Sequence, residues 1–181
     1  MSEPGNVFFP LVEKDYISGI KKLRILGIDP GSHITGYGVI DKKGNHLRHV
    51  IHGEIKSKKD STLSTMLISI YQQLSDLIVK TSPEAVALEN IFYGKNVRSL
   101  IKQAQVRGVA IFAGADKNIS VFEYSPLEVK KAVVGYGRAE KRQVQVMVKA
   151  ILNLSELPPA DAADALATAI CHANFLKGKT I

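Results

Sequence analysis

Four carboxylates in three short motifs could do chemistry together. Asp29 closes the apolar run Ile25-Leu26-Gly27-Ile28, and Glu89 closes Ala85-Val86-Ala87-Leu88. Asp161 and Asp164 stand three apart in Ala160-Asp161-Ala162-Ala163-Asp164-Ala165-Leu166. An unpaired charge among apolar or small neighbours is costly to bury, and acids that converge repel one another and take up protons. A hard divalent cation removes that conflict, and an all-oxygen ligand set suits magnesium or manganese. The four acids therefore read as a metal site.

Taken singly, each motif has a plainer reading. An Asp-x-Gly at Asp29-Pro30-Gly31 occurs at many strand-to-turn junctions, where proline ends the ladder and glycine allows a tight turn. Asp161 and Asp164 fall on one helical face, about 5–6 Å apart at Cβ, in a first turn where the helix dipole favours negative charge. The flanking alanines argue for more, because they let that face press close to another surface. His172 lies eleven residues beyond Asp161, about 16 Å along a helix. It is therefore excluded as a ligand and read as a surface or core-edge residue. Gly36-Tyr37-Gly38 resembles half of a nucleotide-binding glycine loop, but no helix follows, so the dinucleotide fingerprint fails.

Cations flank these acids. In a helix expected over residues 97–113, Lys102 and Arg98 fall with Lys95 in a stripe about 60° wide, and Val97, Leu100, Ile101, Ala104 and Ile111 form an apolar side to be buried in a dimer interface or against the sheet. The stripe reads either as a solvated face or as a phosphate-binding one beside Glu89. Phe92 and Tyr93 read as base-stacking residues or as loop anchors. Lys130, Lys131, Arg138, Lys141 and Arg142 form a second basic region around the break Gly135-Tyr136-Gly137.

The elements that must position these groups follow from pattern. Strands are expected over residues 23–29, 35–41, 47–56, 85–89 and 119–124, with the cluster Lys42-Lys43-Gly44-Asn45 turning the second into the third. Leu63, Met66, Leu67, Ile70, Leu74, Leu77 and Ile78 mark an amphipathic helix. Ser125-Pro126-Leu127-Glu128 opens a short helix with a capping box. Two more are expected over residues 140–152 and 160–175, the latter after Pro158-Pro159. Three hairpin-linked strands followed by alternating helices and strands imply an α/β fold, a mixed sheet with helices on both faces. Residues 1–22 read as an extension that is disordered or packs through Phe8, Phe9 and Leu11, residues 23–176 as one domain, and residues 177–181 as a tail.

The 181-residue length suits one domain with a sizeable core. The net charge of +7 fits a polyanionic partner as well as simple solubility. The single cysteine, Cys171, excludes an intrachain disulfide and reads as a small core residue of a reducing compartment. No apolar run spans a bilayer and no signal pattern opens the chain, so a cytoplasmic protein is expected.

The ordered set resembles the RuvC family of bacterial Holliday-junction resolvases. It comprises Gly27-Ile28-Asp29-Pro30-Gly31 with Thr35-Gly36-Tyr37-Gly38, Glu89-Asn90-Ile91-Phe92, Gln105-Val106-Arg107-Gly108-Val109-Ala110, Glu140-Lys141-Arg142-Gln143-Val144 and Asp161 to Leu166. The resemblance covers residues 23–175. It implies a ribonuclease-H-like fold, a homodimer, and magnesium-dependent cleavage of four-way DNA (manganese able to substitute) leaving 5′-phosphate and 3′-hydroxyl ends. It further implies Asp29, Glu89, Asp161 and Asp164 as catalytic metal ligands, about two ions per site, and Phe92 at the crossover bases. Lys130 and Lys141 match family lysines needed for activity, and Tyr93, Lys95, Arg98, Lys102 and Arg107 complete the expected DNA-contact set. The RuvA–RuvB branch-migration complex is the implied partner.

Three other readings compete. A ribonuclease-H-like nuclease of structured RNA would use the same acids. An actin-like or sugar-kinase ATPase also begins a phosphate loop with Asp-x-Gly, but needs two such domains. A non-catalytic junction-binding module would have no need of four acids.

Overall fold

The computed structural model describes residues 21–58, 60–91 and 96–176. Nearly all of the expected extension and the whole C-terminal tail lie outside the described residues. Five strands, β1 (Lys22–Asp29), β2 (Ile34–Lys43), β3 (His46–Lys56), β4 (Ala85–Glu89) and β5 (Ser120–Tyr124), form one sheet in the order β3-β2-β1-β4-β5. The hairpins β1–β2 and β2–β3 are antiparallel, whereas β1–β4 and β4–β5 are parallel. This is the mixed five-stranded sheet expected from the alternation of elements. The second turn is tighter than expected: only Gly44 and Asn45 lie outside the strands, with Gly44 at φ 59°.

Helices cover both faces because the central strands are apolar on both sides. Ile25, Ile40 and Ala87 face one core, built with α3 (Pro126–Val134), α4 (Lys141–Ile151) and α5 (Ala160–Phe175). Leu26, Ile28, Val39, Val86 and Leu88 face the other, built with α1 (Leu63–Thr81) and α2 (Val97–Ala115). The α1 stripe behaves as its spacing requires: Met66, Ile70, Leu74, Leu77 and Ile78 are buried, though Leu63 is exposed. The Ser125–Glu128 capping box of α3 is formed in both directions, and Cys171 is buried.

The alanine-rich α5 lies unusually close to the sheet. A side chain at Gly27 would meet the Ala165 carbonyl and Ala169, one at Gly36 would meet the Asp161 carbonyl, and one at Gly38 would meet Leu166. The Gly36-Tyr37-Gly38 motif is therefore strand, and its glycines leave room for α5 rather than for a phosphate.

One expectation is narrowed and another corrected. The apolar side of α2 is not buried along its whole length: Ile111 packs at the margin of the second core and Leu100 is half-buried. The fully buried positions of α2 are Val106, Ala110, Ala113 and Gly114, while Val97 and Ile101 are more than half exposed and Ala104 is exposed. The cause is length: at 1.5 Å per residue this 19-residue helix far outruns its five-residue neighbour β4, and only its second half meets the sheet. His172 is no edge residue; it is 2 % exposed. It lies against Phe122, ring centroids 4.4 Å apart, and its Nδ1 is 2.6 Å from the Tyr124 hydroxyl. Burial pushes its pKa down to about 4.

The close approach can be tested by a pair of variants. Gly36→Ala must displace the first turn of α5 and should destabilise by about 1–3 kcal/mol or more. Gly108→Ala, whose added Cβ meets nothing within 4 Å, should be neutral or stabilising by up to about 1 kcal/mol. Urea unfolding midpoints check both; equal effects would contradict the packing described.

Candidate active site

Strand register brings the acids together. Asp29 and Glu89 are the last residues of β1 and β4, which run parallel with Ile28 opposite Leu88. Both carboxylates thus emerge at the same carboxyl edge of the sheet. Asp29 pairs with Gly36 across the β1–β2 hairpin, and Gly36 is the position against which the Asp161 backbone rests. That contact delivers the first turn of α5, with Asp161 and Asp164, to the end of β1. The turn after Asp29 is held by the Thr35 hydroxyl, which donates to the Gly31 carbonyl at 3.0 Å.

Carboxylate oxygens of Asp29, Asp161 and Asp164 lie within 4.8 Å of one another. Glu89 stands outside that tight group but lines the same cleft, of about 400 Å³. A larger hollow of about 740 Å³ between β3 and the α4–α5 connection contains none of the four acids.

Electrostatics show the conflict inherent in this arrangement. Burial, then repulsion from Asp164 and Asp161, pushes Asp29 up to about 7. Burial, then Asp29 and Asp164, pushes Glu89 up to about 8. Burial raises Asp164 too, although Lys141 Nζ approaches its Oδ2 at 3.4 Å and opposes the shift. The lysine gains in turn, its pKa raised chiefly by Asp164. Hard oxygen donors, close spacing and carboxyl groups that resist ionising together fit a divalent cation, whose charge reverses that resistance.

The basic residues divide into three groups. Lys130 and Lys141 line the cleft. Arg98 and Lys102 are exposed on the projecting half of α2. Arg107 faces inward, bonded to Asn90 and paired with Glu123. Phe92, Tyr93 and Lys95 lie outside the described residues. Sequence reasoning missed Asn90 and Gln103, both on the cleft wall. The available signals were slight: Asn90 adjoins Glu89, and Gln103 shares a helical face with Arg107 four residues on.

The raised acids set a pH dependence. Asp29 and Glu89 hold protons more tightly in the fold than at their ordinary values of 3.8 and 4.5. Their contribution to stability is fully present below about pH 4 and is lost as pH rises through about 7 and 8. His172 has the opposite sign, contributing above its ordinary value of 6.5, so the window from about pH 6.5 to 8.5 isolates the acids. With chelator present, the denaturation midpoint should fall across that window, Asp29→Asn should flatten the fall, and Mg²⁺ should offset it. A flat profile in chelator would contradict the electrostatics.

Comparison with known proteins assigns the chain to a family. The family model for crossover junction endodeoxyribonuclease RuvC matches residues 25–172. A relative of that description from Geotalea uraniireducens is 54 % identical over 152 residues, covering 84 % of this chain and 89 % of its own. One from Geobacter sulfurreducens is 50 % identical over 159 residues, covering 88 % and 97 %. The solved structure of Thermus thermophilus RuvC in complex with Holliday junction substrate superimposes with a TM-score of 0.82 at 32 % identity, covering 86 % of this chain and 96 % of that one. The fold is thus ribonuclease-H-like, and the chain belongs to the RuvC family of crossover junction endodeoxyribonucleases.

Proposed function

We propose that this chain resolves four-way DNA junctions, cutting two opposed strands symmetrically by metal-dependent hydrolysis to leave 5′-phosphate and 3′-hydroxyl ends. The observation that carries the reading is the convergence of Asp29, Asp161 and Asp164 within 4.8 Å, with Glu89, Lys130 and Lys141 on the same cleft. Family membership and the likeness to a RuvC bound to Holliday junction substrate support it.

The acids would hold magnesium, or manganese in its place, with two ions proposed per site. Such ions, when bound, activate a water for attack on phosphorus and stabilise the departing oxygen. The protein's own groups do the rest. Asp29 and Glu89, fixed at strand ends, and Asp161 and Asp164, fixed on a helix, keep the ligands rigid. Lys141 and Lys130, on the same cleft, would offset the charge of an entering phosphodiester. Arg98 and Lys102, with Lys95, Phe92 and Tyr93 on the adjoining segment, are proposed to grip the junction arms and its unstacked bases.

One chain carries one set of four acids, yet resolution needs two cuts. A two-fold homodimer supplies two sites with the symmetry of the substrate. The exposed Val97 and Ile101 on the projecting half of α2 are the proposed contact. Recombination and repair in the cytoplasm, alongside RuvA–RuvB, is the setting this activity implies. Among the described residues no helix is long and apolar enough to cross a membrane.

The test is cleavage of four-way DNA against folded RNA and linear duplex, with and without Mg²⁺. Only the four-way DNA should be cut, only with the ion, and from a complex sedimenting with two chains per junction. Asp29→Asn, Glu89→Gln, Asp161→Asn and Asp164→Asn should each slow cutting by more than about 100-fold, the upper range for loss of an outer-shell group. Junction binding without metal should persist, since none of these changes adds a charge that repels DNA and any acid ionised there loses one. Preferred cutting of RNA, or cutting by a single bound chain, would overturn the reading.

A further inference from the structure

Arg107, expected among the DNA contacts, has partners within the protein. From α2, its Nη2 donates to Asn90 Oδ1 at 3.0 Å and pairs with Glu123 Oε2 at 2.5 Å. Its side chain is 22 % exposed, and its charge is directed at the wall between α2 and β5 rather than at solvent. Its Nε is buried with no hydrogen-bond partner among the described residues. A buried donor left without a partner is destabilising, so stability alone is a poor reason for this placement.

The other end of the contact is on the cleft. Asn90 directly follows Glu89 and lines the same cleft. Its backbone N–H donates to the Tyr124 carbonyl at 2.7 Å, extending the β4–β5 ladder by one bond beyond Glu89. A guanidinium can only donate, so the side-chain amide must turn its oxygen to Arg107. The orientation of Nδ2 is then fixed as well. Among the described residues nothing accepts from Nδ2. Asn90 is thereby anchored at two points, its main chain by β5 and its side-chain oxygen by α2, with a neutral two-proton donor left over beside an acidic cleft.

We propose that Arg107 is a positioning residue: it locks the Asn90 amide so that Nδ2 donates to a phosphate oxygen of the strand held beside Glu89. The proposal rests on this cleft being the nuclease site. A neutral donor suits the place, because a further cation would compete for the carboxylates and a further anion would repel the phosphate. Glu123 completes the device by occupying the remaining Nη2 proton and holding the guanidinium away from the DNA. The same helix carries Arg98 and Lys102 on its projecting half, so Arg107 also ties the segment that grips DNA to the strand end that carries Glu89.

Single-turnover cleavage of four-way DNA in Mg²⁺, junction affinity across a salt series without divalent ions, and urea unfolding midpoints together test this. Arg107→Met should slow cleavage about 10- to 100-fold, as loss of an outer-shell partner does, with junction affinity and its salt slope unchanged. Asn90→Asp keeps an acceptor for Arg107 but replaces the Nδ2 donor by oxygen. It should slow cleavage by a similar factor with no loss of unfolding midpoint, a result that a merely structural role would not give. The double variant should be no slower than the slower single one. Weaker binding by Arg107→Met, with the slope of log affinity against log salt reduced by about 0.9, would make Arg107 a phosphate contact and overturn the proposal. Unchanged cleavage by Asn90→Asp would overturn it equally. Glu89→Gln separates the two levels: an inactive Glu89→Gln beside a normal Arg107→Met removes only the positioning role, whereas a normal Glu89→Gln removes the site and the proposal together.

Discussion

The contact between the first turn of α5 and the glycines at the middle of the sheet is the constraint on which the rest depends. Gly36 has no side chain, so the Asp161 backbone can rest on β2. Gly36 is also the hairpin partner of Asp29. One close approach therefore sets the distance between acids that are more than 130 positions apart in sequence. Gly27 and Gly38 extend the same flat track beneath Ala165, Ala169 and Leu166. A helix carrying larger residues would stand farther from the sheet, and its acids would miss the end of β1.

That closeness also creates the chemical problem which a cation solves. Of the three carboxylates within 4.8 Å, Asp29 and Asp164 hold protons above their usual range because they are partly buried, and Glu89 on the same cleft does so too. Lys141 answers only part of the negative charge, and it does so from an exposed position on α4. The fold thus holds the acids in a geometry that is unfavourable when empty of positive charge and favourable when a divalent ion enters. Rigidity comes from the β1–β4 and β4–β5 ladders on one side and the α5 packing on the other. The ion does not have to organise its ligands.

Much of this was legible in the residues. The strand ends at Asp29 and Glu89 were marked by apolar runs that stop at an acid, and the alanines around Asp161 and Asp164 announced a helix that packs closely. For α2, periodicity shows which side is apolar, not how far the neighbouring strand extends, so it left open whether that side covers the sheet or a second chain. A five-residue β4 cannot cover a 19-residue helix, so Val97 and Ile101 remain exposed although their spacing looks like core. His172 was misjudged because its burial depends on Phe122 and Tyr124, about 50 positions away. The Arg107–Asn90–Glu123 contact had no sequence signal either, since it joins three elements through side chains whose types are ordinary on any surface.

The most direct test of the central claim is to see the ion. Anomalous diffraction at the manganese edge, from crystals of the protein grown with Mn²⁺, locates bound metal independently of activity. The account predicts an anomalous peak bounded by the carboxylates of Asp29, Asp161 and Asp164 on the side facing Glu89, lost in Asp29→Asn. No peak there at saturating Mn²⁺, with the Lys141 ammonium seated among the acids instead, would contradict it.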